Sequence, residues 1–147
     1  MTIQAIGMLM GASTHIQWVS QNGFLSDNYN APLLTKIFWD SLTFLDPIAA
    51  ILLFLRPKTG IILTLIVITI DVLHNNLFYM DELYINPPPF ATWIQKYWMI
   101  IGQVIFGLFV YLTFSYNLKK IKTFTNKKSQ LITPNKIHPP SSRRFGI

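Results

Sequence analysis

The sequence predicts an all-α integral membrane protein, a four-helix bundle of spanning segments with a basic, disordered C-terminal tail. Three observations predict it. Of 147 residues, 51% are hydrophobic and only 12% charged, about half the ~25% charge of soluble domains. Four stretches approach the ~20 apolar residues that a helix needs to cross about 30 Å of hydrocarbon. Eight of the twelve Lys and Arg residues follow residue 118, so the excess charge belongs to one end. In a soluble chain the formal net charge of +6 would raise nucleic-acid binding; concentrated in a tail beside apolar segments, it does not, and no nucleic-acid partner is expected. The absence of cysteine excludes a disulfide scaffold and a thiolate metal site.

The first segment, residues 3–19, is diluted by Gln4, Ser13, Thr14, His15 and Gln17 but carries no formal charge. An alternative takes it as a cleaved signal peptide with a small-residue site near Gly11-Ala12-Ser13; the lack of any Lys or Arg ahead of it argues against that. The second, residues 37–55, contains Asp40 and Asp46. The third, residues 60–80, is the most apolar and is interrupted by Asp71 and His74. The fourth, residues 93–116, holds Lys96 near its start and Gln103 inside. Residues 1–117 thus form the expected bundle. Residues 118–147, with three prolines, eight basic residues and no acid, cannot build a core and are expected to be disordered.

Connectors separate the segments. Arg56-Pro57-Lys58-Thr59-Gly60 reads as a tight turn, and Pro87-Pro88-Pro89 as a short extended linker without backbone donors. Residues 20–32 are polar and Asn-rich. Ten cations fall on the side of the tail and the Arg56 turn, and only Lys36 and Lys96 on the other. The positive-inside rule then predicts four spans in a bacterial inner membrane with both termini in the cytoplasm, and a tail that touches anionic lipid. Trp18, Trp39, Tyr79, Trp93, Tyr97 and Trp98 fall at the outer interface, where an aromatic belt is expected.

Half of the six acids, Asp40, Asp46 and Asp71, lie inside apolar segments. An Asp at a helix centre costs about 2.5 to 3.5 kcal/mol on insertion, against about 0.3 to 0.6 gained per Leu, Ile, Phe or Val. The twelve such residues between positions 61 and 78 outweigh Asp71, whereas the second segment, with eleven against two aspartates, sits near break-even. Counting about 1.5 Å per residue from a turn at Lys58 places Asp46 and Asp71 at one depth, and Asp40 level with Asn75 and Asn76. Thr64, Asp71, His74 and Asn75 share a side of the third helix, which makes Asp71 and His74 candidate hydrogen-bonded neighbours. Asp46-Pro47 resembles a helix cap and first turn, so the second helix is expected to kink or restart there. Gly7 and Gly11 form a GxxxG helix-packing element that would turn His15 inward.

The candidate intramembrane polar site is therefore Asp40, Asp46, Asp71, His74 and Asn75, with His15 and Gln103 as contributors or as interhelical hydrogen-bonding groups. Intramembrane ionisable residues suit a proton relay or a coupled carrier. The ligand spacings of common metal sites are absent, so no metal or other cofactor is expected.

The stretches NYNAPLLTKIFWDSLTFLDP at 28–47, RPKTG at 56–60 and DVLHN at 71–75 resemble a family of small uncharacterised bacterial integral membrane proteins with four spans. The resemblance covers residues 15–80 and implies an inner-membrane protein without an assigned activity. In size and helix count the chain is also similar to small multidrug carriers, although the acid those place in the first helix is absent here. It is similar in architecture to sterol-isomerase-like four-helix proteins, which gather acids in a lipid-accessible cavity. The function expected is a small ion-coupled carrier, with a homo-oligomer or another membrane protein as partner. An apolar-ligand (lipid) binding protein or enzyme, and a non-catalytic accessory subunit, stay open.

Overall fold

The computed structural model describes residues 1–132, and all of its long elements are helices: α1 Thr2–Asn22, α2 Leu33–Leu55, α3 Pro57–Phe78 and α4 Phe90–Ile132. Among the described residues there is no strand. A short 3₁₀ turn at Asp27–Tyr29 lies between α1 and α2, and a π-type turn at Asp81–Ile85 between α3 and α4. Three helices are long and apolar enough to cross a membrane, Leu33–Leu55, Pro57–Phe78 and Phe90–Phe124. The polar residues of α1 keep it below that level.

Local chemistry sets the boundaries. Pro57 opens α3 as its first residue, where a missing N–H costs nothing. The preceding Arg56 is forced out of the helical region, with φ −137° and ψ 74°, so a single residue separates α2 from α3. The turn therefore centres on Arg56 and not on Lys58. Asp46 lies nine residues from the end of α2 and Asp71 fourteen from the start of α3, which puts Asp71 about 7 Å farther from the turn. The expectation of a common depth is corrected accordingly.

A second correction concerns Pro47. It lies inside a continuous α2, so Asp46 caps nothing and the helix does not restart. Pro47 cannot donate to the Thr43 carbonyl one turn back. A third concerns the C-terminal end: residues 118–132 continue α4 as helix. Leu118 and Ile121 pack against the core, the stretch contains no Gly or Pro, and lysine is a good helix former. Pro134 and the rest of the expected tail, with Lys136, Arg143 and Arg144, lie outside the described residues.

Each helix packs on the next in the chain. α4 also returns to α1, where the Gln4 amide donates to Thr113 Oγ1 (3.0 Å) and accepts from Asn117 Nδ2 (3.4 Å). The apolar core gathers Ala5, Met8, Leu42, Ala49, Ala50, Leu53 and Ile61. Gly60 is required there, because a Cβ at that position would run into the backbone of Leu52 and Leu53 on α2.

The distribution of polarity is inverted relative to a water-soluble fold. Gln4, Asp40, Asp46, Thr64, Asp71 and Asn75 are buried, whereas Ile62, Ile66, Ile70, Leu73 and Leu77 form an exposed stripe along α3. A surface of that kind is stable against hydrocarbon and not against water.

Candidate functional site

The inward face of α3 carries Gly60, Ile61, Thr64, Val67, Ile68, Asp71 and Asn75. Near the centre of the helix set this face meets α2, where Trp39, Leu42, Asp46, Ala49 and Ala50 are buried. Asp46 and Asp71 are close enough for their charges to interact. Asp46 rests against α1 at Gly11, where a Cβ would come within 2.7 Å of Asp46 Oδ2. Gly7, one turn below, makes room in the same way for the ring of Phe106 from α4. The two glycines of the GxxxG element thus admit a side chain each, a carboxylate and a phenyl ring.

Asn75 is the hub. Its Nδ2 donates to Asp71 Oδ1 (2.8 Å) and to Gln103 Oε1 (2.9 Å), and its Oδ1 accepts from Trp39 Nε1 (2.8 Å). Indole N–H can only donate, which fixes the amide's orientation and satisfies both ends of it. Three helices are joined at this one side chain.

Above Asn75 opens a cavity of about 390 Å³, within the ~300 to 1,000 Å³ of small-ligand sites. α1 supplies Thr14, His15 and Trp18 to its wall, the following loop Asn28 and Tyr29, and α2 Trp39. Asn75 and Tyr79 come from α3, and Lys96, Tyr97, Met99, Ile100 and Gln103 from α4. Asp46 and Asp71 do not line it; Asp71 reaches it through Asn75.

Five of the wall residues form a run of touching rings. Centroid separations are 4.9 Å for Trp18 and Tyr29, 5.2 Å for Tyr29 and Trp39, 6.3 Å for Trp39 and Tyr79, and 5.6 Å for Tyr79 and Tyr97. Trp39 and Tyr97 are buried while Trp98 is exposed, so most of the expected aromatic belt is turned inward. Sequence reasoning missed this wall as a functional feature. The available signal was that aromatics cluster at the same end of all four segments.

Two expected site members stand outside the Asn75 network. Asp40 accepts from the Leu25 backbone N–H (2.6 Å) and from the Tyr29 hydroxyl (2.7 Å). It pins the loop after α1 and holds Leu25, a non-glycine residue, at φ 55°, a conformation that costs energy without such support. His74 makes no hydrogen bond with Asp71. Its ring packs on Phe38 (4.5 Å), Trp39 and Phe78, and its buried Nε2 has no hydrogen-bond partner. The reason is angular: at 100° per residue, Asn75 lies about 40° from Asp71 and His74 about 60° to the other side, where α2 presents rings.

The mouth is tied to the connector before α4. Lys96 and Tyr97 both donate to Glu82 Oε2, and these bonds, the Lys96 one foremost, hold the Glu82 carboxyl below its usual range. The Trp93 indole adds a bond to the Leu83 carbonyl (3.3 Å). The ion pairs among the described residues, Lys36 with Asp27 and Lys96 with Glu82, leave Asp40, Asp46 and Asp71 without a basic partner. Among the described residues no three His, Asp or Glu side chains come together to hold a metal ion.

No family model, no curated protein and no solved structure matches this chain.

Proposed function

We propose that the chain is a multi-pass membrane protein with four spans and both termini cytoplasmic, of the small bacterial inner-membrane type, and that it works as an ion-coupled carrier. One observation carries this reading: the buried Asp71 is hydrogen-bonded, through Asn75, to a cavity of small-ligand size, with the buried Asp46 on the neighbouring helix. Buried carboxylates without a cationic partner bind and release a proton or cation from outside the chain. Asn75 bonds Asp71, Gln103 and Trp39 at once, so a ligand that displaces Gln103 or Trp39 acts on Asp71 through Asn75.

The assignment of α1 as a span is supported by its hydroxyls. Ser13, Thr14 and Ser20 return their O–H groups to the carbonyls of Met10, Gly11 and Gln17, which lowers the cost of placing them against lipid. A far smaller share of α4 than of α2 or α3 is buried, leaving its outward face for lipid, a second copy or another membrane protein. Lys119, Lys120 and Lys122, at the basic end of this helix, suit contact with anionic headgroups.

The test uses proteoliposomes of the full chain with a pH-sensitive dye inside, challenged with a panel of neutral, anionic and cationic small solutes. At least one solute is expected to drive proton movement, and Asp71→Asn is expected to abolish it while the protein stays folded. No solute-driven proton movement across the panel, or movement unchanged in Asp71→Asn, overturns the carrier reading.

A further inference from the structure

The cavity wall narrows the ligand chemistry, and the narrowing rests on the reading of this cavity as the substrate site. Two of its three amide oxygens each already accept a hydrogen bond: Asn75 Oδ1 from Trp39, and Gln103 Oε1 from Asn75. An inorganic cation, which needs several oxygen ligands, finds few free ones. What remains open to a ligand is chiefly ring surface from Trp18, Tyr29 and Tyr79, with the buried Trp39 and Tyr97 packed beside them.

Behind that surface stand carboxylates, each one hydrogen bond away. Tyr29 donates its hydroxyl to Asp40 (2.7 Å), and Asn75 its amide to Asp71 (2.8 Å). A phenol that donates to a carboxylate keeps its ring electron-rich, and ring faces attract cations through their quadrupole. The one lysine on the wall, Lys96, is held by Glu82. The field in the cavity is therefore set by acids without basic partners, which disfavours an anion.

We propose that this cavity binds a monovalent organic cation, an ammonium group with apolar substituents, seated against the aromatic wall with Asp40 and Asp71 as its second layer of charge. Rings supply the contact and the carboxylates supply the sign.

The experiment compares benzyltrimethylammonium with neopentylbenzene, in which carbon replaces the charged nitrogen. Calorimetric titration of the full chain in a neutral detergent is expected to show saturable one-to-one binding of benzyltrimethylammonium. Neopentylbenzene should displace it at least tenfold less effectively. Asp40→Asn and Asp71→Asn should each weaken the cation at least fivefold. Tyr79→Leu, which removes a ring face and touches neither acid, should do the same while helix content and monodisperse elution are retained, and this keeps the test meaningful if Asp40→Asn loosens the loop. Equal displacement by neopentylbenzene, or wild-type affinity in both Asn variants, overturns the proposal. The two readings fail separately. Binding of the cation without its passage or proton movement in proteoliposomes sinks the carrier and leaves the site, whereas Asp71-dependent proton movement driven only by neutral or anionic solutes sinks the cation site and leaves the carrier.

Discussion

At the Arg56 end, α2 and α3 meet through Gly60, Ala49, Ala50, Leu53 and Ile61, with backbones in close approach and one residue in the turn. At the opposite end the same two helices are held apart by the rings of Trp39, Phe78 and Tyr79 and joined by polar bonds centred on Asn75. Small side chains make the first end tight; large rings and a hydrogen-bonded amide make the second roomy. The difference teaches where a membrane protein places its space: the tight end fixes the helix register, and the other end can then carry a cavity without losing it.

Gly60→Ala attacks the tight end where it has least slack. Its new Cβ meets main chain and not a movable side chain, so the expected loss is about 3 kcal/mol, measured by unfolding in mixed detergent and SDS. A loss below a few tenths would mean that the helices tolerate separation there, and the contrast between the ends would disappear. Asn75→Leu attacks the other end. It strands the Trp39 N–H and removes the donor to Asp71 and Gln103, with an expected cost of about 2 kcal/mol and loss of cation binding. Retained binding would show that the carboxylates act on the cavity without the hub.

The Glu82 contacts sharpen the comparison at the mouth. Because its folded carboxyl titrates lower than in the unfolded chain, their stabilisation is present above the ordinary Glu range near pH ~4.3 and is lost as pH falls through the lower folded value. Hydrogen-exchange protection at residues 81–85 is expected to fall in that acid window and to become pH-independent there in Glu82→Gln. Unchanged protection in wild type would unlink the connector from Lys96 and Tyr97. The smallest effect is expected for His74→Phe. The ring sits among rings and its Nε2 bonds nothing, so stability and cation binding should stay within about 0.5 kcal/mol of the parent. A loss like that of Asn75→Leu would return His74 to the polar set.

Part of this was legible in the chain. Asp46 and Asp71 stood out because charge is costly in an apolar run, and the turn between the second and third segments was marked by its proline and glycine. The inward aspect of Asn75 followed from its four-residue spacing to Asp71. His74 was misplaced because three-residue and four-residue neighbours of Asp71 diverge by 100°, and only the packing of α2 decides which of them faces polar company. The partners of Asp40, Leu25 and Tyr29, were not legible because they lie in a loop whose path has no periodicity. Helix beyond residue 118 was missed because the charge that prevents a core does not prevent a helix.

α4 has a mechanical consequence of its own. Leu118 and Ile121 pack against the core, and the helix continues to Ile132, about 16 Å beyond Ile121. A helical rod transmits torque and holds its tip at a set distance, whereas a flexible segment of equal residue count only limits how far the tip strays. Any tilt of α4 at the cavity would thus be magnified at its basic end, like the motion of a pointer.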